Sequence, residues 1–369
     1  MALGMVKKEF LEALHFVCSV EFWRMAVLWA ISLMISYWQL FTQTLFPQKI
    51  KSYPRCYPST TSIRPVCIIT GATSGLGAAA AYALSKEGFF VVIVGRSSQL
   101  LSETVRKIKD GNENAHVKAF EVDLSSFQSI LKFKDSMQKW LLDSGFHCSV
   151  QLLINNAGIL ATSHRLTAEG YDQMISTNYI GPFYLTNLLL PLLRDSPVSS
   201  RIVNVTSFTH RSVFDIQVDK DTVSGKCLLR SKRYPCGQIY EYSKLFLLLF
   251  SYELHHQLCS TDQVSVIAAD PGAVQTNIMR EVPTSLSCMA FTVLKLLGLL
   301  QSPESGVSSI LDAALAPPET SGVYFFGGRG RTIKSSALSR NIKLARELWT
   351  TTSDLLLQSQ LAPGESDPS

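Results

Sequence analysis

The feature that most constrains the fold is a repeated alternation of short apolar runs with longer helix-like stretches. Six apolar, β-branched runs occupy positions 66–70, 89–95, 116–122, 150–156, 201–207 and 264–270. Helix-like stretches separate them, for example at 77–87, 100–109 and 126–142. Continuous apolar strands that alternate with helices indicate a parallel sheet covered on both faces. The sequence therefore predicts an α/β fold, a doubly wound parallel sheet of the Rossmann type in a single domain.

Composition narrows the classes of function. Of 369 residues, 46% are hydrophobic and 17% are charged, which indicates a large core or a membrane association and argues against disorder. The net charge of +5 is spread along the chain without a dense basic stripe, so no nucleic-acid partner is predicted. The eight cysteines show neither a C-x-x-C pair nor zinc-site spacing. We therefore predict no metal site and a reducing compartment.

A long uncharged segment near the N-terminus predicts a membrane anchor. No charged residue lies between Met25 and Gln48, and the apolar part is near the ~20 residues that span a bilayer. Trp29, Tyr37 and Trp38 are typical of the membrane interface. The alternatives are a cleaved signal peptide, which lacks a clear small-residue cleavage site here, and a buried helix. Basic residues flank both ends, so the orientation stays open.

These patterns divide the chain into five predicted segments. They are an N-terminal segment (1–24), a transmembrane anchor (25–48), a linker (49–64), a dinucleotide-binding domain (65–350) and a polar tail (351–369). The expected location is a membrane that the chain crosses once. We assign that membrane to the endoplasmic reticulum, with another organelle envelope as the alternative.

The first predicted strand runs directly into a glycine-rich turn, Thr70 to Gly77, with the sequence TGATSGLG. Glycines let the backbone turn sharply and approach a pyrophosphate, which then lies at the N-terminus of the following helix. The end of the second strand carries Arg96 where an NAD site would carry an acidic residue. Because a guanidinium suits a 2′-phosphate, NADP(H) is the predicted cofactor rather than NAD(H).

A tyrosine and a lysine four residues apart begin the helix-like run QIYEYSKLFLLLFSYEL, residues 238–254. Positions i and i+4 share one helix face, so Tyr240 and Lys244 point the same way. A cation beside a phenol favours the phenolate, which brings its proton within reach of chemistry near neutral pH. Such a pair also arises on solvated helix faces, and its meaning depends on the other parts of a site. Tyr242 has no lysine at position 246.

The motifs, taken in order over about residues 64–349, resemble those of the short-chain dehydrogenase/reductase family. They are TGATSGLG, VDL with Asp123, NNAG at 155–158, Asn178, Ser207, Tyr240-x-x-x-Lys244 and DPGAVQT at 270–276. The stretches SPESG, GVYFFGG and ARELW are similar to the retinol-dehydrogenase-like branch, which includes membrane-anchored plant members. The order of the whole set carries the resemblance, since each motif alone is weak.

The resemblance implies a role for each catalytic residue. Tyr240 would be the general acid/base, and Lys244 would lower its pKa and hold the nicotinamide ribose. Ser207 would donate a hydrogen bond to the substrate oxygen, and Asn178 would order a water molecule between Lys244 and solvent. The residues implied in NADP(H) binding are Thr70, Gly71, Ser74, Gly75, Leu76, Gly77, Arg96, Asp123, Leu124, Asn155, Ala157, Gly158, Tyr240, Lys244, Pro271, Gly272 and Thr276.

The segment at 285–300 covers the substrate in this family and is strongly apolar here. With the predicted anchor, it indicates a lipophilic alcohol or carbonyl of the retinoid, polyisoprenoid, steroid-like or fatty-aldehyde class. The inserted basic stretch at 224–237 could cover the substrate mouth or touch a membrane, and a solvated loop is its default interpretation. The alternative function is a catalytically idle NADP(H)-binding scaffold or redox sensor at a membrane. Long helices often pair subunits in this family, which leaves a homodimer open.

Overall fold

The computed structural model describes residues 19–45, 52–57, 63–145, 147–230, 233–258 and 263–361. Most of the predicted N-terminal segment, the end of the predicted anchor and residues 362–369 lie outside this range. The strands are β1 Val66–Thr70, β2 Phe90–Gly95, β3 His116–Glu121, β4 Leu152–Asn155, β5 Ser200–Val205, β6 Val264–Asp270 and β7 Tyr324–Phe326. The helices are α1 Val20–Leu45, α2 Gly75–Lys86, α3 Ser98–Gly111, α4 Phe127–Asp143, α5 Gln173–Ile175, α6 Gly181–Arg194, α7 Lys220–Val223, α8 Cys236–Leu258, α9 Thr284–Leu296, α10 Pro303–Gly306, α11 Ser308–Ala314 and α12 Ile342–Leu361.

The predicted doubly wound parallel sheet is confirmed. Seven strands pair in the order β3-β2-β1-β4-β5-β6-β7, and every pairing is parallel. The strands β1, β2, β4, β5 and β6 are buried along their whole length because helices cover both faces, which explains why they read as continuous apolar runs. The chain reverses direction in the sheet between β1 and β4, so the crevice for a ligand opens at the carboxyl ends of these two strands.

The seventh strand was not among the six that we predicted. It has three residues, Tyr324–Phe326, which pair with Ala268, Ala269 and Asp270 of β6. A run this short between glycines resembles a loop in the sequence. Its strand conformation comes from the open edge of β6, which supplies the hydrogen-bonding partners.

Helix α1 begins five residues before the predicted anchor and includes Arg24. From Val20 to Gln43 it is long and apolar enough to cross a bilayer, as its composition predicted. One face of the helix nevertheless packs on the domain and buries Met25, Leu33 and Leu40. The opposite face exposes a row of large apolar side chains, namely Val20, Trp23, Val27, Ile31, Met34, Trp38, Phe41 and Leu45. The anchor and buried-helix interpretations thus describe opposite faces of one helix.

The C-terminal helix extends beyond the domain boundary that we predicted at residue 350. Helix α12 continues to Leu361, and Thr352, Leu355 and Leu356 are buried. The hydroxyls of Thr352 and Tyr179 are 2.6 Å apart, which ties the helix to the domain core. Polar composition suggested a tail here, but the two leucines lie about two helical turns after buried Leu348 and face the same core.

Candidate active site

The motifs converge at the carboxyl edge of the sheet because the strands that carry them are neighbours. The turn after β1, the NNAG segment after β4, Ser207 after β5 and the DPG segment after β6 all follow strands that pair in this order. Carboxyl ends of adjacent parallel strands lie side by side, so these segments line one cleft. Helix α8 crosses the same edge and adds Tyr240 and Lys244 to the cleft.

Ser207, Tyr240 and Lys244 meet in this cleft. Ser207 follows β5 and begins a 3₁₀ turn at Phe208–Ser212, where its Oγ accepts a hydrogen bond from the N–H of Thr209 at 3.3 Å. The Nζ of Lys244 lies 5.7 Å from the centroid of the Tyr240 ring and donates to the carbonyl of Val205 at 3.0 Å. Tyr240 and Ser207 both line the cleft. The predicted catalytic tyrosine and lysine therefore lie on one face of α8, and the serine lines the same cleft.

Burial dominates the electrostatics of the pair. It raises the pKa of Tyr240 well above its usual value, with a smaller raising effect from Asp270 and an opposing one from the side chain of Ser207. Burial also lowers the pKa of Lys244 to about 8, partly offset by the carboxylate of Asp270. The resemblance implies that Lys244 lowers the pKa of Tyr240. In the structure, burial is the largest effect on the pKa of both groups.

Asn178 lies beneath the cleft and not in its lining. It is fully buried in a π-helical turn, Ser176–Ile180, that joins α5 to α6. Its Oδ1 accepts from the N–H of Ile159 at 2.8 Å, and its Nδ2 donates to the carbonyl of Ile159 at 3.0 Å and to Ser243 Oγ at 3.1 Å. Asn178 thus holds Ile159, the residue directly after the NNAG motif, close to Ser243 of α8. Its predicted role in ordering water beside Lys244 stays a prediction.

The glycine-rich turn forms one end of the cleft. Gly71 and Gly75 have φ of 64° and 52°, a left-handed conformation that favours glycine. A Cβ at Gly71 would also lie 2.8 Å from the Cα of Ala157, so a side chain there would push the two loops apart. Within the described chain, Ser74 caps α2 without a side-chain hydrogen bond, which leaves the first N–H groups of the helix directed at the cleft.

Most of the predicted cofactor residues line the cleft. These are Gly71, Ser74, Gly75, Leu76, Gly77, Arg96, Leu124, Ala157, Gly158, Tyr240, Lys244, Pro271, Gly272 and Thr276. A methyl group at Gly158 would lie 3.5 Å from both Lys244 Nζ and Asn178 Oδ1, so Gly158 is directly beside these two side chains. An open backbone cradle, a helix N-terminus and three cationic side chains, Arg96, Lys244 and Arg280, together fit a phosphate-bearing dinucleotide.

Three predicted cofactor residues bond to the protein and do not line the cleft. The Oγ1 of Thr70 accepts from the N–H groups of Asn156 and Ala157 at 3.0 and 3.1 Å. The Oδ1 of Asp123 accepts from the N–H and the hydroxyl of Ser125 at 2.9 and 2.7 Å. The amide of Asn155 donates to Asn204 and Thr186 at 2.8 and 2.9 Å. Each of these side chains thus fixes the conformation of a loop or strand next to the cleft.

Sequence reasoning missed two polar residues at the site. Asn156 donates from Nδ2 to the carbonyls of Thr70 and Gly71 at 2.9 and 3.2 Å, and so ties the glycine turn to the NNAG loop. Asp270 is fully buried behind the cleft, where its carboxylate accepts from the hydroxyl of Tyr324 at 2.5 Å. Burial raises the pKa of Asp270 to about 6. Asn156 lies in the NNAG motif and Asp270 in the DPGAVQT motif, but the sequence does not show which residue of a motif faces inward.

Comparison with known proteins agrees with this geometry. A family model for short chain dehydrogenases matches residues 65–215. Human polyprenol dehydrogenase is 33% identical over 297 residues, which cover 79% of this chain and 84% of that protein. Mouse retinol dehydrogenase 13 is 31% identical over 296 residues, which cover 78% and 83%. A solved structure of an uncharacterised protein from Mycobacterium Paratuberculosis superposes with a TM-score of 0.60 at 27% identity, over 79% of this chain and 93% of that one.

The likeness extends over most of this chain and over most of each relative, and the ordered motifs lie in one cleft. An oxidoreductase of this type binds a nicotinamide dinucleotide and acts on alcohol groups. The protein belongs to the short-chain dehydrogenase family, in its retinol-dehydrogenase-like branch.

Proposed function

We propose that the protein is an NADP(H)-dependent oxidoreductase that interconverts an alcohol and a carbonyl on a lipophilic substrate at a membrane. The observation that carries this proposal is the meeting of Ser207, Tyr240 and Lys244 in one cleft beside the glycine turn. The bound nicotinamide supplies or accepts the hydride. Tyr240 exchanges the proton with the substrate oxygen, Ser207 holds that oxygen by a hydrogen bond, and the ammonium of Lys244 favours the phenolate.

The charges around the cleft support a preference for NADP(H). Arg96 is exposed at the end of β2 and lines the cleft, and Arg280 lines it as well. Among the described lining residues none is an aspartate or glutamate. A guanidinium can bind the 2′-phosphate, whereas a carboxylate would repel it.

Exposed apolar surface supports a lipophilic substrate and a membrane location. Helix α9 lies in the segment predicted to cover the substrate, and Met289, Val293 and Leu296 are exposed on it. A shallow apolar groove joins the outer face of α1 to Leu299, just beyond α9; its lining is Ile31, Met34, Ile35, Tyr37, Trp38, Phe41 and Leu299. A surface of this kind suits contact with lipid. Two similar proteins are named for polyprenol and retinol, which are both lipophilic alcohols.

The test is an activity assay on the full-length protein in detergent micelles. NADPH oxidation is followed at 340 nm with all-trans-retinal and with a polyprenal as substrates. The Tyr240→Phe variant removes one oxygen, and turnover should fall by ~10²–10⁴ while NADPH affinity stays nearly unchanged. The control is Tyr242→Phe, because Tyr242 lies outside the cleft lining and its hydroxyl pairs with Gln238 at 3.0 Å.

Full activity of Tyr240→Phe would remove the catalytic assignment. NADPH binding without turnover of any lipophilic carbonyl or alcohol would contradict the proposed enzyme and favour the scaffold alternative. The single crossing of the membrane and the endoplasmic reticulum location stay predictions.

A further inference from the structure

Glu241 is a buried carboxylate next to the catalytic tyrosine. It lies on α8, directly after Tyr240, and its side chain is 1% exposed. Arg24 donates to both of its oxygens, from Nη1 at 3.0 Å and from Nη2 at 3.3 Å, and Trp29 donates from Nε1 to Oε1 at 2.8 Å. A buried carboxylate is tolerated when charged and hydrogen-bonding partners surround it. Both of these partners belong to α1.

Trp29 also contacts the catalytic residue itself. The indole and the Tyr240 ring pack with centroids 5.6 Å apart at an angle of 46°. The hydrogen bond from the indole N–H to Glu241 restrains the orientation of the same ring. The indole N–H of Trp29 is therefore bonded to Glu241, while the indole ring packs on the ring of Tyr240.

Helix α1 contacts the serine side of the site as well. The hydroxyls of Ser32 and Ser212 are 3.1 Å apart, and Arg211 donates from Nε to Ser36 Oγ at 3.1 Å. Ser212 and Arg211 belong to the 3₁₀ turn that starts directly after Ser207. One face of α1 thus packs on both segments that carry the catalytic side chains.

Gly237 on α8 lies directly against the side chain of Met25 on α1. A Cβ at Gly237 would lie 3.0 Å from the sulfur of Met25 and 3.4 Å from its Cβ. A helix that served only as a membrane anchor would need neither this contact nor a partner for Glu241.

We infer that α1 is a component of the catalytic site, in which Trp29 is a positioning residue for Tyr240 and Glu241 holds α1 in place through Trp29 and Arg24. This inference rests on the proposed function, because it assigns Trp29 a role in the chemistry of Tyr240. It assigns the two faces of α1 different tasks: the inner face orients the acid/base residue, and the outer face contacts lipid.

The first test compares variants of the full-length protein in detergent micelles, with NADPH and all-trans-retinal. In Trp29→Ala the support of Tyr240 is lost, so kcat should fall about tenfold or more with little change in NADPH affinity. Trp29→Phe keeps a ring against Tyr240 and should recover most of kcat. The matched control is Trp23→Ala on the same helix, because Trp23 is 58% exposed on the outer face and does not line the apolar groove. It should leave kcat unchanged in micelles.

The pH profile separates positioning from a loss of stability. Trp29→Ala admits water to Tyr240 and reduces the desolvation that raises its pKa, so the basic limb of kcat for carbonyl reduction should move to lower pH. A variant that is merely less stable keeps the wild-type profile. Wild-type kcat and pH profile in Trp29→Ala, at a turnover that still depends on Tyr240, would overturn the inference and leave the proposed function intact.

The second test needs no activity. The double variant Met25→Cys/Gly237→Cys places two Cβ atoms near the separation that a disulfide requires. Under mild oxidation in a Cys236→Ser background, full-length protein in membranes should form the bond, and neither single variant should. Absence of the bond would show that α1 stands away from α8 and would overturn the inference. The disulfide test can be read even if the wild type turns over neither retinal nor a polyprenal. In that case the proposed function fails, and the disulfide still reports whether α1 lies against α8.

Discussion

The ammonium nitrogen of Lys244 lies 5.7 Å from the centroid of the Tyr240 ring, one helical turn away along α8. The i, i+4 spacing places the two side chains on one face, and the buried edge of the sheet removes both from water. Removal from water lowers the pKa of Lys244 to about 8 and raises that of Tyr240. The pair is therefore sensitive to any charge that enters the cleft.

Replacement of Lys244 by methionine removes the charge and keeps most of the side-chain length. We expect turnover to fall by ~10²-fold, because the phenolate of Tyr240 loses its cation. NADPH affinity should fall as well if Lys244 has its proposed second role of holding the cofactor. Stopped-flow turnover and calorimetric NADPH titration measure the two effects. Lys343→Met on the exposed face of α12 is the control. A loss of affinity without a loss of turnover would contradict the dual role.

Replacement of Arg96 by alanine tests the cofactor preference. We expect NADPH binding to weaken by roughly 1.5–3 kcal/mol, the typical contribution of a hydrogen bond to a charged group, while NADH binding stays unchanged. Calorimetric titration of the full-length protein with both dinucleotides decides the point. Arg106→Ala, an exposed arginine on α3, is the matched control. Equal affinities of the wild type for NADPH and NADH would remove the argument for Arg96.

The buried His210 predicts a loss of stability in acid. Its Nδ1 donates to the carbonyl of Ser207 at 2.7 Å, and its Nε2 accepts from the N–H of Ser336 at 3.1 Å, so both nitrogens are occupied by the neutral ring. Burial lowers its pKa from 6.5 to about 3, with a smaller effect from Arg211 and an opposing one from Ser207. Because the folded pKa is depressed, this stability is present above about pH 6.5 and is lost as the pH falls toward 3.

The expected slope for this one group is at most ~1.4 kcal/mol per pH unit between pH 6 and pH 4. Urea unfolding at several pH values measures it, and His210→Gln should have a shallower slope over that range. His164→Gln, at an exposed position, is the control. An unchanged slope in His210→Gln would show that other groups control the acid response.

The ion pair of Arg24 and Glu241 predicts a strong coupling between α1 and α8. Arg24→Ala leaves the carboxylate buried without its cation, so we expect the free energy of unfolding to fall by about 1–3 kcal/mol. Adding Glu241→Gln removes the unpaired charge and should restore part of that loss. A thermal or urea double-mutant cycle measures the coupling. Additive effects of the two substitutions would mean that the pair contributes nothing to docking.

The outer face of α1 predicts membrane binding. Trp38→Gln with Phe41→Gln replaces two exposed aromatic side chains, and each should weaken attachment by roughly 1.5–3 kcal/mol if the face lies in lipid. Vesicle flotation and carbonate extraction of the full-length protein measure the attachment. Ile342→Gln, at an exposed apolar position on α12, is the control. Wild-type protein in the soluble fraction would contradict the membrane prediction.

The sequence alone determined the parallel sheet, the glycine turn and the Tyr240–Lys244 pair. Each depends on local periodicity: strands buried on both faces are continuously apolar, and residues four apart share a helix face. The sequence did not predict the short strand β7, because its conformation depends on the edge of β6. It did not predict the buried end of α12, because polar residues surround the two buried leucines there.

Only the tertiary structure decided which motif members face the cleft and what α1 contacts. Thr70, Asp123 and Asn155 belong to the motifs as much as Gly71 or Lys244 do, yet their side chains satisfy neighbouring loops and strands. Trp29 and Glu241 are 212 positions apart, and no local pattern joins them. An apolar helix looks the same in sequence whether it faces lipid or a domain. Because a buried Glu241 requires polar partners, its bonds to Arg24 and Trp29 bring one face of α1 beside Tyr240.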